Sequence, residues 1–378
     1  CSSDLSKDYR PTAWLSGGES LNNKWLRQTI QSFKPYAAPN INENIVIDAN
    51  ESPYNIFDFP KVAEAFLARM KQTPSYHYPD PFAGELRQAL AGYVGCEADE
   101  VLVGNGGDEI ISLVMNTFLN PGDVLLTHAP TFDIYGLDAE VLGAEVVTVP
   151  DLDGYRRDCD GFLEKIKELQ PKVTVLCNPN NPTGELLPMS YVEAVLQASE
   201  NPVVVDEAYL EFSGVPSIIT KLSQYDNLIV IRTLSKAFGL AGCRVGYGVA
   251  QKEVIDALSL TKLVYNLNVL SQNAALSALE YADEILAHNI PPTLAARDVF
   301  YKALEDVPEI TMYPSATNFV LIRVPDGPAM DKALRAADIS VRSYKAENLK
   351  NCLRITITTE DVVRKVVSVL KEEVKKHA

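Results

Sequence analysis

Residues 232–248 read RTLSKAFGLAGCRVGYG, and this stretch joins two apolar, β-type runs through a segment rich in glycine. Lys236 and Arg244 lie eight positions apart in it, among apolar and small residues. Lysine is rarely buried without a specific reason. Burial and a neighbouring arginine both lower the pKa of a lysine, so Lys236 is predicted to carry a neutral, nucleophilic amine near neutral pH.

Outward from this stretch, apolar runs typical of buried strands alternate with amphipathic helical segments. The runs lie at 101–103, 124–128, 145–149, 172–177, 202–206, 228–233 and 244–250. Continuous apolar strands separated by helices indicate a mostly parallel sheet that is covered on both faces. The sequence therefore predicts an α/β protein with a large domain built on a mostly parallel, seven-stranded sheet flanked by helices.

After about residue 270 the pattern becomes that of a smaller α+β unit. A long helical pattern from Ser271 is predicted to end before Pro291 and Pro292, because proline interrupts a helix. Strand patterns follow at 317–324, 339–343 and 352–358. Thr359 is the predicted N-cap of a last helix, which has acidic residues in its first turn.

The predicted domain organisation has three parts. Residues 1–50 are polar and loop-like and are expected to form an N-terminal arm that packs with the smaller domain. Residues 51–275 form the large domain in this interpretation, and residues 276–378 form the small C-terminal domain.

Composition excludes several classes of partner. The formal net charge of −16 argues against binding to nucleic acid or to an anionic membrane surface, since both require a basic footprint. The six cysteines are scattered without a C-x-x-C pair, which is typical of reduced thiols in a cytoplasmic protein. Four histidines without an H-E-x-x-H motif indicate no metal site.

Three further segments could carry chemistry at the carboxyl ends of strands, where ligands of parallel sheets gather. VGNGGDEI (103–110) reads as a strand, a glycine loop and a helix, whose free N–H groups can hold a phosphate or another anion. CNPNNPTG (177–184) fixes a rigid loop and is expected to leave amide side chains pointing outward. VVVDEAYLEF (203–212) places Asp206 at the end of an apolar strand, where an ionised carboxylate needs a cationic partner.

These segments and Lys236 together supply an anion cradle, a carboxylate, amide donors and a reactive amine. They match the phosphate, the ring nitrogen, the phenolic oxygen and the aldehyde of pyridoxal 5′-phosphate. CNPNNPTG, VVVDEAYLEF and RTLSKAFGLAGCRVGYG resemble the class I/II aminotransferases of fold type I, and among these the ones that act on histidinol phosphate. FKPYAAP (33–39), DANESP (48–53), YHYPDP (76–81), APTFDIY (129–135) and LRIT (353–356) add matches in the same order, so the resemblance runs from about residue 25 to the C-terminus.

The resemblance implies roles around the cofactor ring. Lys236 would attach the cofactor aldehyde and later move the proton of the substrate Cα. Asp206 would keep the ring nitrogen protonated, and Asn181 and Tyr209 would hydrogen-bond the phenolic oxygen. Phe132 would stack on the ring.

The resemblance also implies a phosphate grip. It is formed by the backbone at Gly107 and Asp108 together with Ser235 and Arg244. Tyr78 would reach the same phosphate from the other subunit, so the protein is expected to be a homodimer.

For the substrate, the resemblance makes Arg354 the anion-binding arginine of the small domain. Arg342 and Tyr36 are expected nearby, and Asn50 and Glu51 would border the same pocket.

Some positions depart from the family pattern. Gly107 replaces a common serine or alanine, and Thr358 stands where glycine is frequent. Neither change is expected to alter the chemistry. Gly239 and Gly242 are predicted to let the backbone turn, so that Arg244 returns to the phosphate.

The activity implied is a two-step transamination, with histidinol phosphate as amino donor and 2-oxoglutarate as acceptor. Near relatives keep two alternatives open, an aromatic amino acid aminotransferase and a threonine-phosphate decarboxylase. A non-enzymatic alternative is an aminotransferase-like module that senses metabolites. The retained Lys236, Asp206 and Arg354 argue for turnover.

Overall fold

A computed structural model of the protein describes residues 25–31, 33 and 41–376. From residue 41 onward the described chain belongs to one compact unit. It contains twelve strands: β1 (Ile45–Ile47), β2 (Val101–Asn105), β3 (Val124–Ala129), β4 (Glu145–Pro150), β5 (Val173–Cys177), β6 (Val203–Asp206), β7 (Leu228–Thr233), β8 (Val245–Ala250), β9 (Thr311–Met312), β10 (Phe319–Arg323), β11 (Ile339–Ser343) and β12 (Cys352–Thr356).

The same part of the chain holds eleven α-helices. They are α1 (Pro60–Gln72), α2 (Gly84–Val94), α3 (Gly107–Phe118), α4 (Ile134–Leu142), α5 (Cys159–Leu169), α6 (Met189–Ala198), α7 (Lys252–Ser259), α8 (Val269–Leu279), α9 (Ala282–Leu304), α10 (Gly327–Ala336) and α11 (Glu360–Lys375). None of these helices is long and apolar enough to cross a membrane.

The large sheet has seven strands in the order β2-β8-β7-β6-β5-β3-β4. Only β8 runs antiparallel to its neighbours β2 and β7, and the other pairs are parallel. Successive residues of its strands face opposite cores: Val203 and Val205 pack in one cluster, whereas Val204 packs in the other. A sheet buried on both faces requires the continuous apolar strands seen in the sequence, so the α/β prediction is confirmed.

The smaller sheet has the order β1-β11-β12-β10-β9. Strand β1 pairs with β11 in parallel, while β11, β12 and β10 pair antiparallel. Its apolar face packs with α9, α10 and α11 around a separate core that includes Phe300, Leu334 and Val366.

The helical pattern from Ser271 differs from the prediction in two respects. It is divided into α8 and α9, and α9 continues through Pro291 and Pro292 to Leu304. The prediction that the helix ends before the prolines is therefore wrong. A proline inside a helix removes one N–H donor and crowds the carbonyl of the preceding turn. Packing of α9 on both sides of the prolines, through buried Ile285 and Phe300, offsets this cost.

The last helix begins where the sequence predicts. Thr359 is the N-cap of α11, but its side chain makes no capping hydrogen bond. Glu360 and Asp361 in the first turn complement the positive end of the helix dipole instead.

Candidate active site

Lys236 lies in the loop between β7 and β8, half-buried. Its Nζ donates a hydrogen bond to the Ala49 carbonyl at 2.8 Å and lies 5.8 Å from the centre of the Tyr209 ring. Burial and, second, the charge of Arg354 together lower the pKa of Lys236 to about 8, while the charge of Glu51 opposes the shift. The depressed pKa agrees with the sequence prediction, although Arg354 contributes more to it than the expected Arg244.

Asp206 ends β6 and is buried. Tyr135 Oη donates to its Oδ2 at 2.6 Å, and the Ala208 N–H donates to its Oδ1 at 3.0 Å. Burial raises the pKa of Asp206 to about 6. Both hydrogen-bond donors are neutral, so they do not compensate the negative charge of the carboxylate. Asp206 can therefore hold a cationic N–H group of a ligand.

The CNPNNPTG loop follows β5 and is more buried than predicted. Asn178 donates to the Leu187 carbonyl and accepts from the Leu187 N–H, and buried Asn180 is tied to Thr131, Pro130 and Thr183. These two amides fasten the loop internally and do not point outward. Buried Asn181 accepts a hydrogen bond from Arg354 Nη1 and so belongs to the site.

Tyr209 is held by a residue that lies far away in the sequence. Asn50 Nδ2 donates to Tyr209 Oη at 3.0 Å. The Asn50 N–H in turn donates to Thr356 Oγ1 at 3.0 Å. Asn50 has a positive φ of 56°, which asparagine tolerates better than most residues. Burial raises the pKa of Tyr209 well above its usual value, so the hydroxyl keeps its proton.

The glycine loop after β2 meets Arg244. Gly106 has φ 82°, and a β-carbon on it would lie 2.9 Å from Arg244 Cζ. Arg244 Nη2 pairs with Asp108 Oδ2 at 2.9 Å, in the first turn of α3. The free N–H groups of this turn and the guanidinium form a cradle for an anion.

The backbone that carries Arg244 differs in detail from the prediction. Gly239 has φ 72°, and a β-carbon there would lie 2.6 Å from the Tyr54 carbonyl oxygen. Gly242 has neither a positive φ nor a close neighbour that would exclude a β-carbon. Arg244 itself takes the left-handed conformation, at φ 54°. Gly246 approaches the cradle so closely that a β-carbon would lie 2.6 Å from the Gly106 carbonyl oxygen.

The remaining predicted cofactor contacts lie around this cradle. Buried Ser235 is fixed by Thr233, whose hydroxyl donates to Ser235 Oγ at 2.9 Å. Half-buried Phe132 packs edge-on against Tyr135, with ring centres 5.6 Å apart. Gly107 has space for a side chain, because its β-carbon would meet only Ile231 at 3.7 Å.

Two arginines face each other across β11 and β12. Arg342 lies directly opposite Arg354 in the strand register, and directly opposed residues of an antiparallel pair share a face. Arg354 is 8% exposed and donates to Asn181 Oδ1 and the Asp48 carbonyl, while its buried Nε has no partner among the residues that the structure describes. A buried guanidinium without a carboxylate partner is a site for an external anion.

Not every predicted residue joins this cluster. Glu51 is exposed and acts on Lys236 through its charge. Tyr78 is 79% exposed and stacks on Tyr265, with ring centres 4.5 Å apart, rather than on the site. Tyr36 lies outside the described residues. Thr358 is buried and has no positive φ, so its backbone conformation does not require the glycine that is frequent at this position.

Sequence reasoning missed residues that hold the site in place. Tyr135 bonds Asp206, Thr356 bonds Asn50, and Phe319 packs edge-on against Tyr209. Tyr135 had a signal in the sequence, since it is a tyrosine on the apolar face of a helix beside APTF. Among residues 25–31, 33 and 41–376, no three His, Cys, Asp or Glu side chains cluster as a metal site requires.

Comparisons with known proteins show which family the chain is similar to. A family model for aminotransferase class I and II matches residues 43–370. Histidinol-phosphate aminotransferase of Thermoanaerobacter sp. strain X514 is 39% identical over 92% of this chain and 98% of its own length. The chloroplastic histidinol-phosphate aminotransferase of Nicotiana plumbaginifolia is 38% identical over 87% of this chain and 79% of its own.

A solved structure shares the fold. The crystal structure of histidinol-phosphate aminotransferase from Sinorhizobium meliloti in complex with pyridoxal-5′-phosphate is 26% identical and superposes with a TM-score of 0.85. The match covers 94% of this chain and 99% of that chain. The amine, carboxylate, anion cradle and buried arginine thus occur on the scaffold of such enzymes, and the chain belongs to the class I and II aminotransferase family.

Proposed function

We propose that the protein is a pyridoxal 5′-phosphate-dependent aminotransferase that moves the amino group of histidinol phosphate to 2-oxoglutarate. The products are imidazole acetol phosphate and glutamate. One observation carries the proposal: Lys236, whose Nζ is held by the Ala49 carbonyl, feels the charges of the buried Asp206 carboxylate and of the buried Arg354 guanidinium, which pairs with no carboxylate of the described residues. The relatives that are 36–39% identical over most of the chain support this choice of substrate.

The residues fit the cofactor by charge and by shape. The cradle at Gly106, Asp108 and Arg244 suits a phosphate, because only glycine at position 106 leaves space for the guanidinium. Asp206 suits a protonated ring nitrogen, and Lys236 suits attachment of the aldehyde carbon. When bound, the cofactor supplies an electron sink for the negative charge that develops at the amino-bearing carbon.

Lys236 is the proton carrier in this proposal. With a pKa of about 8, its Nζ is neutral in about one molecule in ten at pH 7, far more than an ordinary lysine, and the neutral amine can accept the Cα proton of the substrate. The Ala49 carbonyl, 2.8 Å away, accepts a hydrogen bond from Nζ and orients the amine. The centre of the Tyr209 ring lies 5.8 Å from Nζ, within reach of a cation–π contact with the protonated amine.

In this proposal, Asp206 holds the ring nitrogen of the cofactor and Arg354 holds the anionic group of the substrate. Tyr135 and the Ala208 N–H hold both oxygens of Asp206, so the carboxylate cannot rotate away from a ring N–H. Arg354 is fixed by Asn181 and by the Asp48 carbonyl, which leaves its Nε free for the phosphate or carboxylate of a substrate. Both half-reactions bring an anion to this face, so one arginine pair can serve both.

We further propose that the enzyme works as a homodimer to which Tyr78 contributes across the interface. Exposed apolar side chains from two segments support this: Tyr76, Tyr78, Phe82, Leu260, Leu263, Val264, Tyr265 and Leu270. The segments touch, since Tyr78 stacks on Tyr265 and Lys262 Nζ donates to the Pro81 carbonyl at 3.0 Å. Apolar surfaces of this kind are typical of protein interfaces.

The division into an arm, a large domain and a small domain at residues 50 and 275 also stays a proposal. The separate cores of the two sheets support it. A cytoplasmic location is likewise proposed, and the five cysteines of the described chain, all unpaired, support it.

The deciding experiment measures glutamate formed from histidinol phosphate and 2-oxoglutarate by the cofactor-loaded protein. Phenylalanine replaces the donor in one control, and O-phosphothreonine is tested for decarboxylation in another. Lys236→Ala should abolish turnover, whereas Lys252→Ala, at an exposed ion pair with Asp256, should not. Reduction with borohydride and peptide mapping should place the pyridoxyl label on Lys236. Glutamate formation by Lys236→Ala at the wild-type rate would refute the assignment.

Subunit complementation tests the dimer. A hybrid of one Lys236→Ala subunit and one Tyr78→Phe subunit contains one site in which Lys236 and a partner Tyr78 are both intact. If Tyr78 acts across the interface, the hybrid should show about half the wild-type activity. Activity no higher than that of the Tyr78→Phe dimer would place Tyr78 at its own subunit's site instead.

A further inference from the structure

Thr356 is the last residue of β12, and its hydroxyl is buried against Asn50. Thr356 Oγ1 accepts a hydrogen bond from the Asn50 N–H at 3.0 Å and donates one to Asn50 Oδ1 at 3.2 Å. Both residues are 1% exposed, so bulk water does not compete for these groups. One hydroxyl thus satisfies a backbone group and a side-chain group of the same residue.

Asn50 is also held through its neighbouring peptide groups. The Asn50 carbonyl accepts a hydrogen bond from Asn318 Nδ2 at 3.0 Å. The peptide unit that joins Ala49 to Asn50 is planar. Its carbonyl oxygen accepts from Lys236 Nζ at 2.8 Å, and its N–H donates to Thr356. These contacts fix the backbone of Asn50 at its positive φ of 56°.

The Thr356 hydroxyl decides which end of the Asn50 amide faces Tyr209. Because Thr356 donates its proton to Oδ1, the Nδ2 end is directed to Tyr209 Oη and donates to it at 3.0 Å, so Oη is the acceptor in this contact. Burial raises the pKa of Tyr209, so the single proton of the hydroxyl stays on its oxygen. In the part of the chain that the structure describes, no other residue forms a hydrogen bond with this hydroxyl. The Tyr209 proton is therefore available to a ligand of the site.

We propose that Thr356 is a positioning residue, which acts through Asn50 to direct the hydroxyl proton of Tyr209 toward the phenolic oxygen of the bound cofactor. The inference rests on the proposed function for its cofactor, but not for the choice of amino substrate. A hydrogen-bond donor at an anionic oxygen favours the anionic form. Tyr209 therefore lowers the pKa at which the Lys236-bound cofactor loses its proton, and Thr356 keeps that donor in place.

The test is a pH titration of the absorbance of the cofactor-loaded protein without any substrate. The wild type is compared with Thr356→Val, which keeps the shape of the side chain but lacks the hydroxyl, and with Thr356→Ser, which keeps the hydroxyl. The matched control is Thr358→Val. Thr358 is buried two residues further along the chain, and its Oγ1 has no hydrogen-bond partner among the described residues.

Thr356→Val should raise the pKa of the bound cofactor by at least about half a unit, because a misdirected Tyr209 stabilises the anionic oxygen less. Thr356→Ser and Thr358→Val should keep the wild-type pKa. Tyr209→Phe should raise this pKa by about one unit or more, since the donor is lost altogether. Adding Thr356→Val to Tyr209→Phe should change the pKa no further, a dependence that a role in folding alone does not produce.

Urea unfolding of each apo protein shows that the variants are folded. Thr356→Val leaves the buried Asn50 N–H and Oδ1 without the Thr356 hydroxyl, so its apo protein should unfold at a lower urea concentration than the wild type. Thr356→Ala is titrated beside it as a second variant without the hydroxyl. It should show the same rise in the pKa of the bound cofactor.

Three results would overturn the inference. A wild-type pKa in the variants without the hydroxyl means that Thr356 does not direct Tyr209. An equal rise in the presence and absence of Tyr209→Phe means that Thr356 acts by another route. If the wild type forms no absorbing Lys236-bound cofactor, the proposed function fails as well, whereas a normal wild-type titration with an unchanged pKa in the variants removes only the role of Thr356.

Discussion

Replacing Gly106 by alanine should weaken cofactor binding through one identifiable collision. The added β-carbon would lie 2.9 Å from Arg244 Cζ, and closer still to Nη2, so the guanidinium must leave its place beside Asp108. Gly106 also has φ 82° and ψ 171°, a conformation that is almost restricted to glycine. The substitution therefore has two separate costs.

The magnitudes follow from these two effects. Forcing a residue with a β-carbon into this conformation costs about 1–3 kcal/mol of folding free energy. Loss of the charge-assisted hydrogen bond from Arg244 to a phosphate costs about 1.5–3 kcal/mol of binding free energy. The second value corresponds to a rise in the dissociation constant of about 10- to 150-fold.

The neighbouring glycine provides a matched control. A β-carbon on Gly107 would meet only Ile231 Cγ2 at 3.7 Å, and Gly107 is the first residue of helix α3. Alanine is favoured over glycine in a helix by about 0.5–1 kcal/mol. Gly107→Ala should therefore bind the cofactor as the wild type does, with unchanged or slightly higher stability.

The assay is an absorbance titration of the apo protein with pyridoxal 5′-phosphate, together with urea unfolding at one fixed protein concentration. If Gly106→Ala binds the cofactor within threefold of Gly107→Ala, Arg244 does not grip the phosphate in the way described. If unfolding is unaffected while binding is lost, the backbone argument is wrong and only the collision stands.

Three further predictions concern the amine, the carboxylate and the anion site. Lys236→Met should stabilise the apo protein at pH 7, because burial disfavours the charged amine. The pKa of Lys236 is about 8 in the folded state and about 10.5 in the unfolded state, so urea titrations should show this gain in stability shrinking from pH 8 to 10.5. Tyr135→Phe removes the 2.6 Å hydrogen bond to Asp206, which should lower the free energy of unfolding in urea by about 1–2 kcal/mol and also lower kcat. An unchanged kcat would show that this hydrogen bond does not support catalysis. Arg354→Lys should raise the KM for histidinol phosphate at least about tenfold in steady-state kinetics, because lysine cannot reproduce the planar guanidinium geometry. A wild-type KM would place the anion site elsewhere.

Local patterns in the sequence were sufficient to predict the large sheet and the residues at its carboxyl edge. Every predicted strand from 101 to 250 is present, because a strand buried on both faces must be apolar throughout. Lys236 and Asp206 could be recognised because an ionisable side chain is exceptional in such surroundings. Asn178 and Asn180 show the limit of this reasoning, since the same string of amides could not reveal which of them fasten the loop.

The sequence by itself determined the fold class, the family and the residue types of the site. Only the tertiary structure decided that Asn50 holds Tyr209 across 159 positions, that Arg354 reaches Asn181 across 173, and that α9 passes through two prolines. Local propensity acts over a few residues, whereas these contacts depend on which surfaces are buried together. The free energy of that packing exceeds the local preference of a proline or a loop, so distant residues decide the outcome.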